Sequence, residues 1–121
     1  MEIRIIKENN VEIAIVNSNE LLITDVQSAI DFMSTIEYET GCSRFIVNKS
    51  AICEDFFNLS TKIAGEILQK FITYHKKIAI IGDFSIYTSK SLKDFIYECN
   101  NGKDIFFLPD EQQAVEKLSR F

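Results

Sequence analysis

Two stretches hold the residue types best suited to phosphate chemistry: Ser60-Thr61, and Gly82-Asp83 followed by Thr88-Ser89-Lys90-Ser91. Hydroxyls placed just ahead of an apolar-periodic run mark a helix start, where free N–H groups and the positive end of the dipole favour an anion. Two chemistries follow. Gly82, Thr88, Ser89, Lys90 and Ser91 could hold the phosphate of a nucleotide or flavin, and Ser60 or Thr61 could itself be phosphorylated. The same hydroxyls serve equally well as N-caps, worth about 1 kcal/mol each. The sequence contains neither G-x-G-x-x-G nor G-x-x-x-x-G-K-[ST], so a phosphate site would rest on hydroxyls and one helix terminus.

Nucleophiles are sparse. Cys42, Cys53 and Cys99 are far apart, form no C-x-x-C pair and have a single histidine, His75, to accompany them. That set suits reduced, partly buried thiols and gives no zinc-ligand spacing. His75 stands at the end of a helical run before Lys76-Lys77, a position suited to capping the negative end of the dipole. It falls at the amino end of a strand, across the sheet from the loops described below, so no base accompanies a serine or cysteine there. We therefore expect no enzyme, no metal and no cofactor.

With 121 residues, 46% hydrophobic and 26% charged, the chain is sized for one α/β domain over residues 1–121. A net charge of −5 and the lack of a basic run weigh against nucleic acid. The N-terminus opens directly into an alternating strand with no stretch apolar enough for a leader or a membrane span, so the expected location is cytoplasmic.

The elements that would position these residues can be read from periodicity. Ile3 and Ile5, then Val11, Ile13 and Ile15, alternate around Glu8-Asn9-Asn10, which predicts a hairpin lying towards a sheet edge. A first helix follows, headed by Thr24 with Gln27 as the reciprocal residue of a capping box and ended by Gly41. Ser60 heads a second helix, Thr88 or Ser89 a third, and Asp110 with Gln113 a fourth. Between them lie strands 45–48, 78–81 and 105–108. Alternation of strands with helices forces these three parallel, giving a hairpin followed by a wound β-α ladder, a mixed and mostly parallel five-stranded sheet with four helices. The expected core holds Ile46, Ile63, Ile67, Leu68, Ile80, Leu92, Phe95, Ile96 and Phe106.

This element order resembles that of the STAS domain, the sulphate-transporter and anti-sigma-factor-antagonist fold, over nearly the whole chain. Glu54-Asp55-Phe56-Phe57, Ala64-Gly65-Glu66-Ile67-Leu68-Gln69-Lys70-Phe71 and Gly82-Asp83-Phe84 with Thr88-Ser89-Lys90-Ser91-Leu92 are more closely similar to a bacterial family catalogued as domain of unknown function 4180. In the anti-sigma-factor antagonists a strand runs into Asp-Leu-Ser, and Asp-Ser-Ser-Gly with its phosphorylatable serine opens the next helix. Here Asn48-Lys49-Ser50 stands for the first motif and Ser60-Thr61 for the paired serines, with Leu59 in place of the aspartate and Lys62 in place of the glycine. The resemblance implies a non-enzymatic, protein-binding regulatory module switched at Ser60 or Thr61.

Parallel strands bring their outgoing loops to one edge. Here these are 17–23, 49–59 and 82–87. On that edge Phe56, Phe57, Phe84 and Tyr87, rimmed by Glu54, Asp55 and Asp83, form a candidate aromatic surface for an unidentified protein partner. The phosphate-ligand site at Gly82 and 88–91 is the alternative, and the oligomeric state is left open.

Overall fold

Asn9 and Asn10 both take the left-handed region, with φ of 54° and 64°, the backbone that a tight two-residue hairpin turn requires. β1 (Glu2–Glu8) thereby folds back on β2 (Val11–Asn17) with Glu8 opposite Val11. The computed structural model describes residues 1–121. It continues with α1 (Val26–Thr40), β3 (Arg44–Asn48), α2 (Ile63–Thr73), β4 (Lys77–Ile81), α3 (Lys90–Asn100), β5 (Ile105–Leu108) and α4 (Glu111–Arg120). The strands lie in the order β1-β2-β3-β4-β5, antiparallel only between β1 and β2. This is the mixed five-stranded sheet with four helices that the periodicity predicts.

Alternation along each strand divides the core into two layers. Phe45, Val47, Ile78, Ile80 and Phe107 face α1, α2 and α3, whose Phe32, Ile36, Ile67, Phe71 and Leu92 close over them. Ile13, Ile15, Ile46, Ala79 and Phe106 face the other way, under Ala114 and Leu118 of α4. Each fully buried Ile or Phe contributes roughly 1.5–3 kcal/mol relative to exposure. None of the helices is long and apolar enough to cross a membrane.

The hairpin lies at the sheet edge, as its alternation predicts, with β1 outermost; β2 inside it buries Ile13, Ala14, Ile15 and Val16, because β3 flanks it and helices cover both its faces. Three local expectations need correction. α1 is capped one residue later than Thr24, by Asp25, which accepts from the Ser28 N–H while the Ser28 hydroxyl accepts from the Asp25 N–H. Gln27 instead donates to Asp31. Ser60 does not head α2. It lies in a 3-10 turn, Leu59–Thr61, and Lys62 takes a left-handed φ of 66° before the helix begins at Ile63. Ile63, Phe95 and Ile96 pack against the core without being fully buried, since they sit at the open margins of α2 and α3.

Candidate functional site

The loops leaving β2, β3 and β4 converge at the carboxyl ends of the strands. Asn48, the last residue of β3, accepts from the Ser18 N–H (2.9 Å) and donates to the Ser18 carbonyl (2.7 Å). Beyond it, the Leu22 and Ile23 N–H groups donate to the Ala51 carbonyl, the Cys53 N–H donates to Ile23, and Ile23 forms a parallel bridge with Ile52. These bonds use backbone groups that a mobile loop would leave to water, so the first two loops behave as one rigid body.

Lys49 ties the third loop to them. Its ammonium lies 5.2 Å from the Phe57 ring centroid and 5.0 Å from that of Tyr87, two rings stacked 5.3 Å apart at 16°. Nζ also donates to Glu54 at 3.3 Å, and the Tyr87 hydroxyl donates to both oxygens of the same carboxylate at 3.1 Å. Burial alone would pull the Lys49 pKa down, but its bonds to Tyr87 and Glu54 outweigh burial and hold it above the ordinary lysine value. Burial raises the Tyr87 phenol. The lysine is therefore a fixed cation and the tyrosine a neutral donor, and neither is poised to move a proton at neutral pH. Gly82 completes the clasp: a Cβ there would stand 2.7 Å from the Lys49 Cβ, so the lysine stem passes directly over the glycine.

Phe56 and Phe57 are 1% and 4% exposed, which corrects the expectation of an aromatic docking surface built on them. They sit on a 3-10 turn, Glu54–Phe57, with Phe56 against Phe57 (4.9 Å) and Phe107 (6.3 Å). Phe84 packs on Phe107 at 5.5 Å. Phe84 and Tyr87 are half-buried, so these aromatics form a floor. Glu54, Asp55 and Asp83 are exposed around it. Hydrogen bonds from the Ser85 hydroxyl and N–H hold the Asp83 carboxyl below its ordinary value and keep it charged.

A shallow cleft of about 730 Å³ opens beside these aromatics, on the other side of Lys49, lined by Lys49, Ile52, Glu54, Ile81 and Gly82. Its two sides are the apolar residues that sequence reasoning missed: Leu21 from the β2 loop and Ile86 from the β4 loop, 58% and 61% exposed. Neither stands out in the sequence, because Leu21 opens the apolar run Leu21-Leu22-Ile23 and Ile86 lies between Phe84 and Tyr87. Lys49 was also missed as a site residue, although its place immediately after β3 marks it as edge-forming.

The residues considered for phosphate are otherwise engaged. The Ser89 hydroxyl accepts from the Leu92 N–H as the α3 cap, Lys90 pairs with Asp94 at 2.7 Å, and Gly82 lies beneath Lys49. Thr88 and Ser91 are exposed on the same turn. Ser60 is exposed, and its hydroxyl donates to Asn58 Oδ1 at 2.7 Å. Thr61 is half-buried, with its hydroxyl held by the carbonyls of Asp55 and Asn58 and accepting from the Ile63 N–H. His75, with a left-handed φ of 59°, ends the α2 turn ahead of β4, at the opposite end of the sheet. No three His, Cys, Asp or Glu side chains are gathered to hold a metal. A family model described as a domain of unknown function (DUF4180) matches residues 8–118. No curated protein matches the chain.

Proposed function

The chain belongs to that family of domains of unknown function, and we propose that it is a STAS-like, non-enzymatic bacterial module of the cytoplasm that docks a protein partner in the cleft between Leu21 and Ile86. The observation that carries this reading is the pair itself. Two aliphatic side chains, each more than half exposed, line a cleft together with the less exposed Ile52 and Ile81 and a polar remainder of Asn48, Lys49, Ser50, Glu54 and Asp83. Rigid loops lose little entropy on binding, and exposed aliphatics flanking a depression are what an incoming side chain can cover.

Charge selects the class of partner. Lys49 and Glu54 offset one another, which leaves Asp83 as the uncompensated charge at the cleft, a local −1 on a chain that carries −5 in all. An anionic phosphate meets that carboxylate and a lysine already engaged, whereas an apolar polypeptide segment with an adjacent Lys or Arg meets complementary surface. The regulatory part of the proposal assigns the switch to Ser60, whose hydroxyl is exposed, in preference to Thr61, whose hydroxyl holds three backbone groups.

Selection of displayed linear peptides on the purified protein tests the reading. Binders should carry an apolar residue beside a basic one. Ile86→Asp and Leu21→Asp should each weaken them at least roughly tenfold while leaving stability within about 0.5 kcal/mol, as expected for exposed positions. Binders indifferent to both substitutions would remove the cleft from the account.

A further inference from the structure

β1 is the open edge of the sheet: only β2 pairs with it. Because Glu8 and Val11 close a two-residue turn as a hydrogen-bonded pair, the even-numbered residues of β1 exchange bonds with β2. The odd-numbered residues therefore turn their N–H and C=O groups outward. An edge of this kind is a template for another strand unless its side chains forbid it.

We infer that this edge pairs with the β1 strand of a second copy, antiparallel, about a two-fold axis through Ile3. The side chains choose both the occupant and the register. Centred on Ile3, Glu2 faces Arg4 of the second copy and Arg4 faces its Glu2, while Ile3 meets Ile3 and Met1 meets Ile5. Every other register is poorer. Centring on Arg4 sets that arginine against itself, and centring on Ile5 sets Glu2 against Glu8; centring on Ile6 pairs Arg4 with Glu8 but sets Ile5 against Lys7 twice and leaves Glu2 and Ile3 beyond the partner strand. Lys7 thus guards the turn-proximal half of the edge, and the half from Met1 to Ile5 is left open to pairing.

Two further observations agree. Met1 and Ile5, on the face that α1 covers, are 63% and 50% exposed. Met1 also helps line a groove of about 290 Å³ with Leu22, Phe32 and Ile36, and this register brings Ile5 of the second copy to that groove. Glu2 has no ion-pair partner within the protomer, whereas Arg4 is shared with Glu111 at 2.7 Å. The dimer supplies Glu2 with its missing cation and joins two five-stranded sheets edge to edge.

Sedimentation equilibrium of the full chain and of two charge variants tests this. Wild type should approach twice 13.9 kDa as concentration rises. Glu2→Lys places lysine against arginine twice in its homodimer, and Arg4→Glu places two glutamates together twice. Each alone should raise the dimer dissociation constant at least roughly tenfold. Mixed one to one, the two variants should form a heterodimer about as tight as wild type, because each lysine or arginine then faces a glutamate. Both substitutions lie on exposed side chains, and the Arg4–Glu111 pair lost in one is a surface pair that the fold tolerates. Circular dichroism of each variant verifies this. A wild type that stays monomeric at millimolar concentration overturns the inference. So does a dimer that survives both substitutions, or a pair of variants that remains monomeric on mixing.

Discussion

Gly82→Ala is the most incisive perturbation of the clasp at the strand ends. Gly82 does not lie in the left-handed region, so alanine is conformationally permitted and the effect is steric alone. The new Cβ would meet the Lys49 Cβ at 2.7 Å and its Cδ at 3.1 Å, against an ordinary carbon–carbon separation of about 3.5–4.0 Å. The Lys49 Cβ is fixed to backbone at the end of β3, so the two strand ends must part by something near 1 Å. Overpacking of this kind costs about 1–3 kcal/mol, offset by roughly 0.4–1 kcal/mol from the stiffer unfolded chain. Mid-range values give a net loss of about 1.3 kcal/mol, with limits of about 0 and 2.6 kcal/mol, and a fall in thermal midpoint of roughly 5 °C for a chain of this size. Gly65→Ala is the matched control: it lies on the exposed face of α2 with nothing within 4 Å of the added methyl, and should stabilise by about 0.5–1 kcal/mol. Differential scanning calorimetry of both reads opposite signs. A Gly82→Ala protein as stable as wild type would refute the claim that Lys49 is pinned across the glycine.

Three other outcomes follow from the same geometry. Phe57→Ala should cost about 3–5 kcal/mol in urea denaturation, since its ring is buried against Phe56, Phe84 and Tyr87; a change below about 1 kcal/mol would return it to the surface. Burial, and then Glu98, push the Cys99 thiol up to about 11 from 9.0, so at pH 8 its thiolate is about a hundredfold scarcer than in the unfolded chain, and alkylation followed by mass spectrometry should be slower by at least that factor. The folded state favours the protonated thiol, so this contribution to stability is complete below pH 9 and is lost as pH rises to about 11, with the raised Lys49 and Tyr87 adding losses of the same sign. Thr61→Ala should destabilise by roughly 1–3 kcal/mol by orphaning its backbone partners, while Ser60→Asp should stay within about 0.5 kcal/mol; intact-mass analysis of protein from its native host should find a phosphate adduct that Ser60→Ala removes.

Much of the fold was legible because local and tertiary preferences agree. Ile78 to Ile81 and Ile105 to Leu108 are unbroken apolar runs, and short crossovers leave right-handed winding as the simplest way to stack them. Asp110 begins α4 and Gly41 ends α1 as their chemistry requires. Where tertiary packing decided, the reading failed. The alternation of Ile13 and Ile15 marks one apolar face of β2, and only the packing of α1 shows that Ala14 and Val16 form a second buried face. Ser60 and Thr61 resemble a helix start because a 3-10 turn uses the same hydroxyl chemistry, and only the left-handed Lys62 separates the two.

The site was legible as a place and illegible in its parts. Convergence of three loops follows from parallel strands, and the structure shows those loops bonded together at Asn48, Ile52 and Lys49. Which aromatics become floor depends on packing across the sheet: Phe56 and Phe57 are both buried because they share a tight turn wedged against Phe107 and Tyr87. Once they are buried, the exposed apolar surface shifts to Leu21 and Ile86.

The most direct test of docking at this edge is site-specific photo-crosslinking in extract of the native host. A photoreactive side chain at Ile86 lies on the cleft, and one at His75 lies at the opposite end of the sheet on an equally exposed turn. The account predicts a discrete adduct with one polypeptide from position 86, lost when Leu21→Asp is added, and none from position 75. Equal labelling from both positions, or an adduct at 86 that ignores Leu21→Asp, would contradict it.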